Sequence, residues 1–433
     1  MLMQTTGEPP STPPITLRWR GMCALALLMG VVLCLRAPAM LVEGRVWGEE
    51  GMFLQAGLER GIWEGMTWRS SVGYYHLQLN VAGVVAASLP LAWAGWVMAG
   101  LGAGLMVLPV VVMRTDAVWA RRLPWVAVLV LGVGPSAEVW LNVASGQFVI
   151  ALMTIALLIT RATTRAGQVA RVVGLVLAGL SGVASVVLAP LFVVRAVVEW
   201  SRGRAVEAGV MVACLVVQAL LIMQSPGDTR RYALDDASQA GAVVVSRQVL
   251  QLLVYPFDVL TGTDRASVAA FVRQMSDEPA GRALLALGAA AVYAGIVLWA
   301  WRVRATSAGW CVGGAAVLVG VSMLASLDST STLIEPDAGQ RYFYAPNVLL
   351  MLAVLDCVLS TRRNAARRIG ARRVGWVLVS WVLIGGLLDY LRPEPTFFTP
   401  ADWTSRVRDW QHDPTLPIPH APLGWQVIVP HEK

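Results

Sequence analysis

Long apolar runs separated by short arginine-rich loops constrain this chain more than any other feature. Residues 208–223 and 283–300 are two examples, and such runs recur along the whole length. In a bilayer only helices and closed barrels satisfy their own backbone hydrogen bonds. Barrel strands alternate over about ten residues, whereas these runs are continuous. The expected fold is therefore all-α, a polytopic membrane protein. Composition agrees: 56% of the 433 residues are hydrophobic and 14% charged, against about a quarter charged in soluble domains. Mean hydropathy is +0.62. The 18 tryptophans suit membrane interfaces, where an amphipathic ring meets both phases.

The net charge of +7 is unevenly spread. Arginines gather in short loops, at Arg18/Arg20, Arg114/Arg121/Arg122, Arg161/Arg165/Arg171, Arg195/Arg202/Arg204, Arg302/Arg304 and 362–373. Loop bias of this kind marks the cytoplasmic side. Brief basic loops interrupted by spans do not suit nucleic acid. Cys23, Cys34, Cys214, Cys311 and Cys357 all fall in apolar segments without CxxC spacing, so neither a zinc site nor a disulfide framework is indicated.

With the basic loops inside, the outer segments are about 42–76, 136–146, 225–281, 328–341 and 391–433. Spans are expected near 21–40, 91–113, 123–135, 147–160, 207–224, 283–302, 308–327, 342–359 and 374–391. Two further regions, 77–113 and 172–194, read as broken or re-entrant, interrupted at Ser88-Leu89-Pro90 and Ser181-Gly182, which brings the expected count to about eleven. Residues 1–16 read as a disordered cytoplasmic tail, 17–391 as one membrane domain, and 392–433 as a short outer tail held down by Trp403, Trp410 and Trp425. The N-terminus is expected in the cytoplasm and the C-terminus outside.

The first outer loop carries the most chemistry. Glu49 and Glu50 follow the first apolar segment, and Phe53, Leu54, Leu58 and Ile62 then recur near helical spacing, as in a helix lying in the interface. Tyr74, Tyr75 and His76 lead back toward the membrane. A carboxylate here can take a proton from an attacking hydroxyl. It can also hold a divalent cation, Mg or Mn, which would neutralise a phosphate leaving group. A solvated acidic loop explains the same residues equally well. The second outer loop offers Glu138, Asn142 and Gln147, with helix capping as the plainer reading of the last two. In the fourth, Arg341 enters an apolar segment with Tyr342 and Tyr344 behind it. Its guanidinium can fork onto a phosphate, or merely anchor a helix end or pair with Glu335 or Asp337. The segment 225–281, with Arg230, Arg231, Asp235, Asp236 and Arg247, reads as carrying an interfacial helix interrupted at Pro256.

The order of these pieces resembles the GT-C superfamily of membrane glycosyltransferases that use polyprenyl-phosphate sugars. "VWGEEGMFL" is similar to the W-x-E-D-G-x-x-F-L stretch of bacterial members, with Glu50 at the usual Asp and Phe53 one residue closer. "GYYHLQLNVAGVVAASLPLAW" is similar to their G-Y-L-H-L-x-x-R lead into a short helix and a Leu-Pro break. "GPSAEVWLNVASGQFVIAL" is similar to S-G-E-V-x-x-N-x-x-N-x-Q-W, with Ser145 or Gly146 near the second Asn and Phe148 for Trp. "RYFYAPNVLL" and the "GWQVIVP" tail complete the set.

The resemblance implies a GT-C fold in a bacterial cytoplasmic membrane, a polyprenyl-phosphate sugar donor, a glycan, lipid or protein acceptor, and an active site on the outer face. It implies that Glu50 serves the acceptor hydroxyl or holds a metal ion, that Glu49 positions the acceptor or the metal, and that Arg341 recognises the donor phosphate. Tyr342, Tyr75, His76, Glu138, Asn142 and Gln147 are the remaining candidates for substrate contact. A flippase for a lipid-linked glycan and a non-catalytic envelope-assembly protein are the alternatives.

Overall fold

The computed structural model describes residues 19–70, 73–134, 136–162, 164–225, 237–261, 265–325, 332–335, 339–360, 369–391, 402–422 and 424–430. The 1–16 tail, Arg230, Arg231, Asp235, Asp236 and Asp337 lie outside them. The described chain is overwhelmingly helical, as the apolar runs require. Among the described residues six helices are long and apolar enough to cross a membrane: Leu91–Met113, Arg202–Met223, Pro279–Val303, Thr306–Leu324, Gln340–Ser360 and Gly370–Tyr390. Leu77–Ala87, Leu123–Gly132, Gly146–Ile159 and Ala240–Val254 are apolar but shorter. At 1.5 Å per residue the 14-residue helix Gly146–Ile159 covers roughly 21 Å, short of a hydrocarbon core of about 30 Å. By length and composition, then, the described residues hold six candidate spans, against about eleven expected. Of the remaining apolar sequence, Gly146–Ile159 is packed inside the protein, whereas the 18-residue helix Trp19–Arg36 exposes Leu27, Leu28 and Leu35.

In chain order, the helices needed first are α1 (Trp19–Arg36), α2 (Ala39–Val42), α3 (Glu49–Thr67), α4 (Leu77–Ala87), α5 (Ala94–Met113), α6 (Ala117–Ala120), α7 (Leu123–Gly132) and α8 (Gly146–Ile159). The region expected to break does so: α9 (Arg165–Gly179) stops before Ser181-Gly182, and α10 (Val183–Val186) and α11 (Ala189–Glu199) follow. After α12 (Arg202–Met223) come α13 (Ala240–Val244), a π-helical turn Val245–Leu250, α14 (Gln251–Thr261), α15 (Arg265–Asp277), α16 (Pro279–Val303) and α17 (Thr306–Ala325). The bundle closes with α18 (Gln340–Ser360), α19 (Ile369–Leu391) and α20 (Trp403–His412), then a hairpin pairing Ile418–His420 with Trp425–Val427.

α18 is the central post, buried along most of its length from Phe343 to Val358. It packs against α8 and α17 in the main apolar core. A second core lies beneath the first loop, where Phe53, Leu54 and Leu58 of α3 meet Leu79 and Ala82 of α4 and Trp403 of the tail. This crossing is close because Gly83 faces α3: a Cβ there would fall 2.3 Å from the Phe53 carbonyl oxygen. The buried stripe of α3 ends where Gly61 leaves helical geometry, so Ile62 and Trp63 are exposed instead. An exposed apolar end on an otherwise buried helix is what an interfacial helix requires.

Charges inside the bundle are paired. Arg36, ending α1, pairs with Asp389 near the end of α19, donates to Ser136 Oγ (3.2 Å) and lies over the Trp140 and Tyr390 rings. Arg122 pairs with Asp356 of α18, whose other oxygen accepts the Ala308 N–H at the start of α17. Breaking a buried pair strands a charge, whereas replacing both members with apolar groups removes the desolvation cost as well. Asp389→Asn is therefore expected to cost about 3–5 kcal/mol, and the double variant Arg36→Met/Asp389→Leu to recover most of it. Thermal unfolding of the purified protein in detergent checks this; a double variant no better than the single would refute it.

Candidate functional site

The segments expected outside converge on one end of the bundle. The first turns of α3, α4, α8 and α18 meet there, and the C-terminal tail docks over them. Trp403 Nε1 donates to Leu91 O (2.8 Å), Thr404 bonds the Glu43 carbonyl, and Gly48 N–H donates to Ala421 O (2.6 Å). Thus Trp403 does hold the tail, against the first loop and the segment behind it. Gly51 is required by this contact: a Cβ there would lie 2.1 Å from His420 Nε2.

The two adjacent acids have separate fates. Glu50 is 1% exposed. One carboxylate oxygen accepts the Trp47 N–H (2.9 Å), the other accepts the Val143 N–H (2.7 Å), and Ala144 N–H adds a third bond. Arg45 lies nearby and donates to Trp140 O (3.1 Å). Glu50, expected to serve the acceptor hydroxyl, therefore ties the start of α3 to the loop entering α8, and Glu49 is the acid that faces Arg341. Burial pushes its carboxyl up to about 7, with Arg45 and the three backbone donors pulling the other way.

Glu49 turns toward the start of α18. Its carboxylate lies 3.7 Å from Arg341 Nη1, and Arg341 Nε lies 3.1 Å from Glu138 Oε1. The second Glu138 oxygen accepts the Arg341 backbone N–H (3.0 Å), so Glu138 holds both the side chain and the start of α18. Glu335, a sequence candidate for pairing with Arg341, pairs with Arg273 instead. Tyr342 lies against the Arg341 guanidinium and edge-on to Phe148 (5.4 Å). Tyr74 joins the cluster: it is hydrogen-bonded to Gln147, senses Tyr342, Arg341 and Glu49, and burial pushes its phenol well up.

The other sequence candidates serve as supports. Tyr75 donates its hydroxyl to Met66 O (2.6 Å), and Gln218 of α12 grips both its backbone N–H and carbonyl. Asn142 clamps its own loop, accepting the Ser145 N–H and donating to Glu138 O. His76 is buried between Phe53 and Tyr74, and burial alone takes its imidazole down to about 3, so it is neutral. Tyr74 is absent from the sequence shortlist. Alternation in an extended stretch was the available signal: Tyr74 and His76 share one side, and Tyr75 points to the other. Nothing local in the sequence marks Arg45 or His420.

Around this cluster several buried polar atoms have no hydrogen-bond partner among the described residues: His76 Nδ1, both amide atoms of Gln78, Ser145 Oγ, and both amide atoms of Gln340. Such atoms cost about 1–3 kcal/mol each unless water or a ligand meets them. They stand at the starts of α4, α8 and α18, beside Tyr74, Gln147 and Arg341.

The donor set does not suit a divalent cation. Both Glu50 oxygens already accept N–H groups, and Glu49 and Glu138 both face Arg341. Among the described residues no group of three His, Cys, Asp or Glu side chains is placed to hold a metal ion.

The Glu50 carboxyl gives the fold a pH dependence. An acid that binds its proton more tightly folded than unfolded contributes stability below its unfolded value, here 4.5, and loses that contribution as pH rises through about 7. Buried histidines slope the opposite way, so the informative quantity is the stability of the native chain minus that of Glu50→Gln. This difference is expected to fall between pH 5 and 7.5 and then level off. A flat difference would show that Glu50 keeps an ordinary carboxylate pKa.

Comparison with known proteins yields no match: no protein family, no curated protein and no solved structure aligns significantly with the chain.

Proposed function

We propose that this protein is a membrane glycosyltransferase of the GT-C type, which moves a sugar from a polyprenyl-phosphate donor to an acceptor hydroxyl at the outer face of a bacterial cytoplasmic membrane. The observation that carries this reading is the Glu49–Arg341–Glu138 cluster at one end of an apolar bundle, ringed by buried amide and hydroxyl groups without hydrogen-bond partners among the described residues. Amides and hydroxyls that both donate and accept suit a sugar ring. A guanidinium suits a phosphate.

In this reading the acceptor oxygen attacks the anomeric carbon, and the bond from that carbon to the donor phosphate oxygen breaks. Polyprenyl phosphate leaves with the bonding electrons, and the hydroxyl proton passes to Glu49. At 3.7 Å the Glu49–Arg341 contact is the looser of the two arginine pairs. A donor phosphate taking Nη1 releases Glu49 to act as base, while Glu138 keeps Arg341 in place. Glu50 works by fixing the start of α3 and therefore the direction of Glu49. Direct displacement inverts the sugar carbon.

The test is lipid identification by native mass spectrometry of the purified protein, followed by transfer from a labelled lipid-phosphate sugar. A co-purified polyprenyl phosphate together with product formation is the expected result. A protein that binds no such lipid and releases none on addition of donor would sink the proposal and favour a non-catalytic role in envelope assembly.

A further inference from the structure

At the opposite end of α8, roughly 21 Å from Gln147, lies a second charged assembly. Between residues 160 and 207 the chain carries six arginines and two glutamates. Four of the arginines and both glutamates form one chain of contacts. Arg171 Nε meets Glu207 Oε1 (2.6 Å), and Arg204 Nη1 meets the other Glu207 oxygen (2.6 Å). Arg204 Nε then reaches Glu199 (3.0 Å), which also takes Arg195 (2.8 Å) and Arg161 (3.3 Å). Arg171 and Arg204 complete their hydrogen bonding on Thr160, through its hydroxyl and its carbonyl. Arg195 Nη1 is buried without a hydrogen-bond partner among the described residues, its guanidinium lying over the Trp310 ring. Both carboxylates are thus saturated by arginine, and positive charge is left over.

The assembly borders an open cavity of about 340 Å³, lined by Arg161, Gln168, Glu199, Ser201, Arg204 and Glu207 among others. That volume lies in the range of small-ligand clefts, about 300–1,000 Å³. α12 begins at the cavity, adding backbone N–H groups and the positive end of a 22-residue helix. Arg161, on the rim, is 68% exposed and has donors to spare beyond its Glu199 contact. Beside it, Trp200 is 85% exposed, and Val193, Val194, Val197 and Val198 of α11 form an exposed apolar strip. Exposed charge and exposed apolar side chains therefore both stand near this cleft.

We propose that this cavity is a phosphate-binding site, distinct from the Glu49–Arg341 site and independent of the function proposed for it. Surplus guanidinium charge and a helix start recognise the phosphate. The valine strip and Trp200 suit the acyl chains and glycerol region of an anionic phospholipid whose headgroup enters the cavity.

The experiment compares the full-length protein in detergent with two variants, Arg161→Gln, which removes the exposed rim charge, and Ala162→Trp, which fills the cavity without changing charge. Each is titrated with dihexanoyl phosphatidylglycerol and, separately, with inorganic phosphate, following bound species by native mass spectrometry and the thermal midpoint. The expected result is one phosphatidylglycerol bound at the native site, with apparent affinity about fivefold weaker in Arg161→Gln and also weakened in Ala162→Trp. Stabilisation by inorganic phosphate alone, lost in both variants, would support the site with a soluble phosphate as its ligand. Equal binding of each probe by all three proteins, or binding of neither, would overturn the proposal.

Discussion

Glu50→Ala is expected to destabilise the protein by about 3–5 kcal/mol, the cost of removing one member of a buried charged arrangement. Three backbone N–H groups, from Trp47, Val143 and Ala144, lose their acceptor, and Arg45 stays buried without the carboxylate beside it. No water route compensates, because the site is 1% exposed. The loss falls where α3 meets the loop entering α8, so the first loop and the docked tail should loosen before the α8–α17–α18 core. Hydrogen exchange would show protection lost around residues 47–57 and 140–146 first. Glu49→Ala, one residue earlier, is expected to leave the thermal midpoint nearly unchanged, because that side chain is 36% exposed and its ion pair with Arg341 is long. Equal destabilisation by the two alanine variants would mean that Glu50 is not the structural acid.

Arg341→Gln is expected to lower sugar transfer by about 10²–10³-fold, the usual effect of removing one preorganised donor to developing negative charge. Glu49→Gln should lose about 10²–10⁴-fold, the scale of general base catalysis. Because both residues serve one step, the double variant should fall little below the worse single one. Arg341→Lys keeps the charge but loses the fork held by Glu138, so only partial rescue is expected. Folding is the control. Glu49→Gln should leave the thermal midpoint close to that of the native chain, whereas Arg341→Gln leaves Glu138 without its guanidinium and should lower it, so transfer is compared at a temperature where every variant is folded. Transfer by Glu49→Gln at the native rate would remove Glu49 as the base.

Much of the architecture was legible because membrane signals are local. Length, apolarity and loop charge place helices without reference to the rest of the chain, and the breaks at Ser88-Leu89-Pro90 and Ser181-Gly182 appear where composition marks them. Span number was less legible. An apolar run reads the same whether it faces lipid or packs against another helix, as Gly146–Ile159 does. The candidate site was half legible. Glu49, Glu138, Gln147, Arg341 and Tyr342 do come together. Tyr75 and Asn142 turn out to brace it, while Tyr74 takes the inward position.

The sequence alone determined that this is a helical membrane protein with an acid pair just after its first apolar segment. Only the tertiary structure decided which acid does what. Consecutive residues on a helix point about 100° apart, so Glu49 and Glu50 could not both face the same place. The choice between them depends on the loop at 140–146 and on His420, respectively about 90 and 370 residues away. These cover one side of the start of α3 and leave the other open to Arg341.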